Sequence, residues 1–250
     1  MTARRIMWPL TVLLTLAVVA LAVPASPFYL SNMLVSGWHF NGRSTASWMR
    51  ALESEDPAER DQAIFALGAI GPAAEEAVPV LAKLMIESPD SHVRNQAALA
   101  ISKMTPASHL AIPELAKALS DKDHWVRMNA ALALSRLKDK ARPAIPELVQ
   151  ALKDMSNNTN LGHFNITIQQ VAALALGRTS SGDAVGIAAL TDALGKGYSE
   201  YVRWSAVEAL GEIGPEARAA VPQIQDLLKH PRPEMREAAA EALRRIEAGS

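Results

Sequence analysis

The 250-residue chain has no cysteine, which rules out disulfide staples and thiolate chemistry and argues for no particular redox compartment. Aromatic residues make up only 5% of the chain, while hydrophobic residues reach 49%. So many small and aliphatic side chains with so few rings suit closely packed helices better than sheets. Positive charge is not in excess either: 25 Lys and Arg stand against 26 Asp and Glu, a formal net charge of −1. A body this close to neutral lacks the basic stripe that neutralises phosphates, so nucleic acid is not expected as a partner. Catalytic signatures are missing as well. There is no G-x-S-x-G elbow, no Walker-type Gly-rich loop and no H-E-x-x-H, the motifs that would mark a hydrolase, a nucleotide enzyme or a zinc protease. Gly195-Lys196-Gly197 reads as a helix-ending turn. The six histidines (39, 92, 109, 124, 163 and 230) stand singly, with no pair at metal-ligand spacing. Glu75-Glu76 and Glu208/Glu212 read as solvated faces, and no ligand spacing makes Glu208 and Glu241 a cation site. Asn157-Asn158-Thr159 and Asn165-Ile166-Thr167 match the glycosylation sequon, which carries no meaning in a bacterial host. No cofactor, no metal, no small-molecule substrate and no catalytic residue is therefore expected.

What is present begins at the N-terminus. Arg4-Arg5 precede an apolar run through Val23, and no Asp, Glu, Lys or Arg occurs from Ile6 to Gly42. Basic residues followed by such a stretch read as a secretion signal, retained as an anchor or cleaved. The positive end stays in the cytoplasm, so the rest of the chain is expected outside it. Ile6 to Val23 is near the lower limit of roughly 17–25 residues for a spanning helix, and the anchor reading is favoured, with cleavage near Ala25 as the alternative. Phe28, Tyr29, Trp38 and Phe40 fit either a membrane boundary or a cap on the first repeat. The expected organisation is a signal anchor or signal peptide over residues 1–25, a linker over 26–43 and a repeat domain over 44–250.

The repeat domain declares itself by two markers that share one register. Arg60, Arg94, Arg127, Gln169, Arg203 and Arg236 are separated by steps of 34, 33, 42, 34 and 33 residues. Apolar-Pro pairs at Val78-Pro79, Ile112-Pro113, Ile145-Pro146 and Val221-Pro222, with Ala188 where a proline is missing, step by 34, 33, 42 and 34. A fixed period in this range means a solenoid. Each unit reads as two helices. The first carries the apolar-Pro pair, as over Ala73 to Met85 or Ala141 to Lys153; the second carries Arg-x-x-Ala, as over His124 to Leu137. Asp56, Asp90, Asp123, Asn165 and Ser199 stand four residues before the marker, where an N-cap belongs, with Glu59 completing a capping box. Gly71-Pro72 and Gly214-Pro215 stop one helix and start the next. The Asn-rich stretch 155–164 accounts for the 42-residue step and is expected to loop out between the two helices of the fourth unit.

Counting from the Arg, positions −1, +3, +6, +7 and +10 are apolar in nearly every second helix; in the third unit they are Val126, Ala130, Ala133, Leu134 and Leu137. At 100° per residue they form one buried stripe. Positions +1, +5 and +8 lie opposite. Position +5 holds Phe65, Leu99, Leu132 and Leu174, then Glu208 and Glu241; position +1 includes Met128 and Trp204. Phe65, Leu99, Met128, Leu132, Leu174 and Trp204 are the candidate partner-binding residues, because contiguous exposed apolar surface marks interaction sites. The alternative is that neighbouring elements cover them as core.

The segments Asp123-His124-Trp125-Val126-Arg127-Met128-Asn129-Ala130 and Tyr201-Val202-Arg203-Trp204-Ser205-Ala206 resemble the bacterial HEAT-like repeat family, which includes the repeats of phycobilin lyases. The likeness covers about Ser44 to Ile246 and implies an all-α, right-handed solenoid of about six hairpins, with the second helices lining a concave side. It also implies a polar ladder between each Arg and the preceding Asp, which Gln169 would break. HEAT-like iron hydroxylases carry His-Glu dyads, and this chain has no His-Glu dipeptide. The expected function is a membrane-tethered, extracytoplasmic protein-binding scaffold at a bacterial inner membrane, with a periplasmic or secreted form as the alternative location. An accessory subunit of a membrane complex is a second reading, and a lyase-like or hydroxylase-like HEAT enzyme a third.

Overall fold

The structure, a computed structural model, describes residues 39–158 and 166–248. The apolar segment 6–23, together with Phe28, Tyr29 and Trp38, lies outside the described residues. A two-stranded hairpin comes first, β1 (His39–Phe40) against β2 (Arg43–Ser44). Twelve α-helices follow among the described residues, in six antiparallel pairs: α1 (Thr45–Ala51) with α2 (Pro57–Ile70), α3 (Val78–Glu87) with α4 (Ser91–Lys103), α5 (Ile112–Ala118) with α6 (His124–Leu137), α7 (Ile145–Lys153) with α8 (Ile168–Thr179), α9 (Ala184–Asp192) with α10 (Glu200–Ile213), and α11 (Val221–Leu227) with α12 (Pro233–Glu247). The expected α-solenoid is what is found.

The core stripe is where the period places it. Val126, Ala130, Ala133, Leu134 and Leu137 are all buried, as are their counterparts in the other second helices except Glu59 and Ile70 of α2, which are half-buried. Asp56, Asp90 and Asp123 accept hydrogen bonds from backbone N–H groups at the starts of α2, α4 and α6, at 3.0, 2.8 and 2.8 Å, and Ser199 caps α10. Three details differ from expectation. Glu59 makes no capping box; it accepts from the Ser54 hydroxyl at 2.9 Å and pairs with Arg43 at 3.3 Å. The cap of α8 is Thr167, in a reciprocal box with Gln170; Asn165 lies outside the described residues. The first helices of most units are also shorter than their patterns suggest. A 3₁₀ stretch such as Gly71–Ala77 or Lys138–Ala144 leads into an α-helix that starts at the apolar-Pro pair. Proline supplies no N–H and crowds the preceding turn, so the α-helix begins there rather than running through.

Residues 39–43, expected as linker, are ordered into an end cap. Asn41 and Gly42 both take positive φ, 48° and 75°, as a two-residue hairpin turn requires. Phe40 then packs edge-on to Trp48 and Phe65, at 6.5 and 5.8 Å between centroids. The Trp48 indole donates to the Phe40 carbonyl at 3.1 Å, and Arg43 lies 4.1 Å over the Trp48 ring. The capping alternative thus holds for Phe40.

Between units, Gly71 and Gly214 sit at φ 71° and 74°, and Lys138 occupies the matching slot of the third unit at φ 51°. A side chain there costs about 1–3 kcal/mol of backbone strain. Lys138→Gly is therefore expected to raise the urea unfolding free energy by about 1 kcal/mol, and an unchanged or lower midpoint would show that the slot is relaxed. The stretch 57–87 is long and apolar enough to cross a bilayer, but Gly71 divides it into two elements of the stack.

The polar ladder exists with other partners than expected. The N-capping Asp residues do not meet the marker Arg residues. Each Arg instead turns back to the loop of its own hairpin. Arg94 donates to Ser88 O and Pro89 O, Arg127 to Asp121 O and Lys122 O, Arg203 to Leu194 O, and Arg236 to His230 O and Pro231 O. Two also reach forward one unit: Arg94 grips Asp121 through Nε and Nη2 at 2.8 and 3.0 Å, and Arg127 donates to Asn157 at 2.9 Å. Gln169 keeps the backward bond, to Leu152 O at 2.7 Å, and its Oε1 has no partner among the described residues. Asn157, 1% exposed, spends its amide on Ala151 O at 3.0 Å. The sequon at 157 is therefore sealed in the folded chain.

Candidate functional site

Neighbouring second helices lie against one another along their length, more closely than neighbouring first helices do. Small residues make this approach feasible. A Cβ added to Gly68 would fall 2.9 Å from Ala100, one at Gly177 2.6 Å from Ala209, and one at Gly211 3.0 Å from Ala242. Position +8 of one second helix thus meets +6 of the next. Position +1 also turns sideways: Asn129 at +2 of α6 donates to Asn95 at +1 of α4 at 2.8 Å.

These seams correct part of the sequence reading. Position +8 does not face solvent; Gly68, Ser102, Ser135, Gly177 and Gly211 are buried. Met128, expected on the open face, is 4% exposed, because +1 points into the α6–α8 seam. Trp204, also at +1, is half-buried against the core. A helix flanked on both sides keeps only a narrow outward ridge, and that ridge is position +5. Phe65 is 56% exposed. Leu99, Leu132 and Leu174 are half-buried rather than sealed, although Leu132 leans on the core. Further along, Glu208 is exposed and Glu241 half-buried. Leu174, Glu208 and Glu241 line one shallow depression of about 400 Å³.

A second row, missed in the sequence, runs beside the ridge at position +9. The Lys103 amine stands 5.6 Å over the Phe65 ring. Arg136 donates to Ser102 O at 2.6 Å, and Arg178 donates to the Ser135 hydroxyl at 3.1 Å and lies 3.7 Å from Glu212. The signal was there to be read, as the same register that marks the Arg ladder puts Lys103, Arg136, Arg178 and Arg245 at one position. At the far end, hydrogen bonds from Arg244 and Arg245 push the Glu241 carboxyl down to about 2. It stays an anion at any physiological pH.

A larger, mainly apolar cavity of about 850 Å³ lies between α9 and α11, on the side of the first helices. Among the described residues no three His, Asp or Glu side chains converge as metal ligands. The face of the second helices offers apolar contact along a line, with charge at its margins, which suits gripping a polypeptide.

Comparison with known proteins bears on the fold. An engineered protein of solved structure is 26% identical, with 82% of this chain covering 97% of it at a TM-score of 0.61. A designed armadillo repeat protein in complex with the peptide (KR)4 is 21% identical, over 80% of this chain and 98% of its own, at 0.60. The complex of CpcE and CpcF of phycocyanin lyase from Nostoc sp. PCC7120 gives 23% identity over 85% and 81% of the chains, at 0.56. No curated protein matches. The solved neighbours are helical repeat proteins, as the HEAT-like resemblance implied, and one of them is a phycocyanin lyase assembly. The model of the adaptin N-terminal region matches residues 43–247, from the hairpin to the last helix, and the chain belongs to that family.

Proposed function

We propose that this protein is a non-catalytic, membrane-tethered scaffold, its repeat domain outside the cytoplasm, that holds a protein partner along the ridge of its second helices. The carrying observation is the unsealed apolar line Phe65, Leu99, Leu132 and Leu174. Surface of that kind is kept where another chain covers it. Two neighbours of the same fold support the reading, one in complex with a peptide and the other a complex of two proteins. The tether rests on the uncharged run after Arg4-Arg5.

The test is detergent solubilisation, affinity co-purification and mass spectrometry on the full chain, comparing wild type with Leu132→Asp. A partner recovered with wild type and lost with the variant is expected, while the thermal midpoint of the domain moves little. Because Leu132 leans on the core, Leu174→Asp is run beside it. If both variants unfold, the ridge is core and the scaffold reading fails. Intact mass of the same sample reports whether residues 1–25 are attached, and their absence removes the tether. Chromophore absorbance or bound metal in the purified chain would favour the enzyme reading instead.

A further inference from the structure

The charges beside the ridge are not evenly distributed. Among the described residues no carboxylate pairs with Lys103 or Arg136, which flank Phe65 and Leu99 near the N-terminal end. At the C-terminal end Glu208 and Glu237 are exposed, and among the described residues no cation pairs with either. Between them Arg178 and Glu212 offset each other at 3.7 Å, and beyond them Arg244 and Arg245 share Glu241, which leaves that end one negative charge in surplus. Near the entrance Asp61, 3.4 Å from the His92 ring, leaves that end one positive charge in surplus. What remains is a line of apolar side chains with surplus positive charge at one end and surplus negative charge at the other.

Resting on the scaffold reading, we propose that the occupant is an extended polypeptide segment of bipolar charge. Its apolar side chains lie on Phe65, Leu99, Leu132 and Leu174, its acidic end sits beside Lys103 and Arg136, and its basic end beside Glu208 and Glu237. Complementary potentials of this kind fix register and direction more than they add affinity. The arrangement discriminates against a uniformly basic peptide, whose cations would face Lys103 and Arg136.

The experiment measures fluorescence anisotropy of labelled peptides against the full chain in detergent. Peptides of about fourteen residues, extended at roughly 3.3 Å each, cross six second helices spaced roughly 8–10 Å apart. Three are compared: Leu alternating with Asp in the first half and Lys in the second, Leu with Asp throughout, and Leu with Lys throughout. The bipolar peptide is expected to bind at least tenfold tighter than the all-Lys peptide, with the gap closing between about 50 and 500 mM salt. In Lys103→Glu/Arg136→Glu the preference should invert towards all-Lys. Both side chains are exposed, so the fold is retained, as circular dichroism checks. Equal binding of bipolar and all-Lys peptides, or a preference unmoved by the charge reversal, overturns the proposal. If all three bind alike and Leu174→Asp abolishes binding, the ridge still grips a chain and only the charge assignment falls. Failure of all three to bind overturns the bipolar occupant, and the co-purification then judges the scaffold separately.

Discussion

Arg94→Ala is expected to lower the unfolding free energy of the repeat domain by about 3–5 kcal/mol, measured by urea or thermal unfolding. Arg94 is 3% exposed and holds Asp121 through two parallel bonds while its other arm satisfies Ser88 O and Pro89 O. The bond to Asp121, more than any other influence, raises the guanidinium pKa, so the charge is present at every working pH. Truncation leaves a largely buried carboxylate and two loop carbonyls with no donor, and an uncompensated buried charge is the costly state. Lysine should not rescue it, since a single ammonium cannot reproduce the fork. Arg94→Leu with Asp121→Leu should restore the part of the loss that comes from the unpaired charge, and not the rest, because Ser88 O, Pro89 O and the Asp123 N–H still lack the partners they have in the native chain. Arg127→Ala should cost less: Arg127 is half-exposed, and its forward partner Asn157 is neutral. A loss below about 1 kcal/mol for Arg94→Ala would mean that the pair behaves as an ordinary surface salt bridge.

The second large effect belongs to the seams. Gly177→Leu is expected to destabilise by about 3 kcal/mol or more. Even alanine does not fit, since its Cβ would lie 2.6 Å from Ala209 Cβ and 2.7 Å from Ala209 Cα. Alanine ordinarily gains about 1 kcal/mol over glycine inside a helix, so a net loss for Gly177→Ala would report the seam directly. The alanine variants should rank with the approach, Gly177 worst, then Gly68 at 2.9 Å, then Gly211 at 3.0 Å. Melting curves of the three suffice. Stabilisation by Gly177→Ala would show that the two helices stand farther apart than this.

The period, the hairpin pairing and the buried stripe were legible in the sequence because each depends on residue type at a repeated position. The Asp caps were legible for the same reason. The open face was only half legible. A pattern of one buried stripe assumes one partner, whereas every inner second helix has a neighbour on either flank. Met128 and the glycines at +8 were therefore assigned to solvent when they belong to seams. The basic row at Lys103, Arg136 and Arg178 keeps the same register but was hidden by attention to apolar positions. Thr167 escaped as a cap because the insertion breaks the count that located the others. The hairpin at 39–44 had its Asn41-Gly42 signal, but strands of two residues leave no alternation to detect.

The glycine–alanine seams carry one further consequence. Where backbones touch with no long side chains between them, there is no soft layer to compress, and curvature is set by the main chain itself. The spacings from Phe65 to Leu99 and from Leu174 through Glu208 to Glu241, each taken across such a seam, are then a ruler whose marks do not slide. Little conformational entropy remains for the host to lose when the groove fills, so ordering falls chiefly on the guest, and a stiffer guest of matching pitch should bind more tightly than a flexible one with the same side chains.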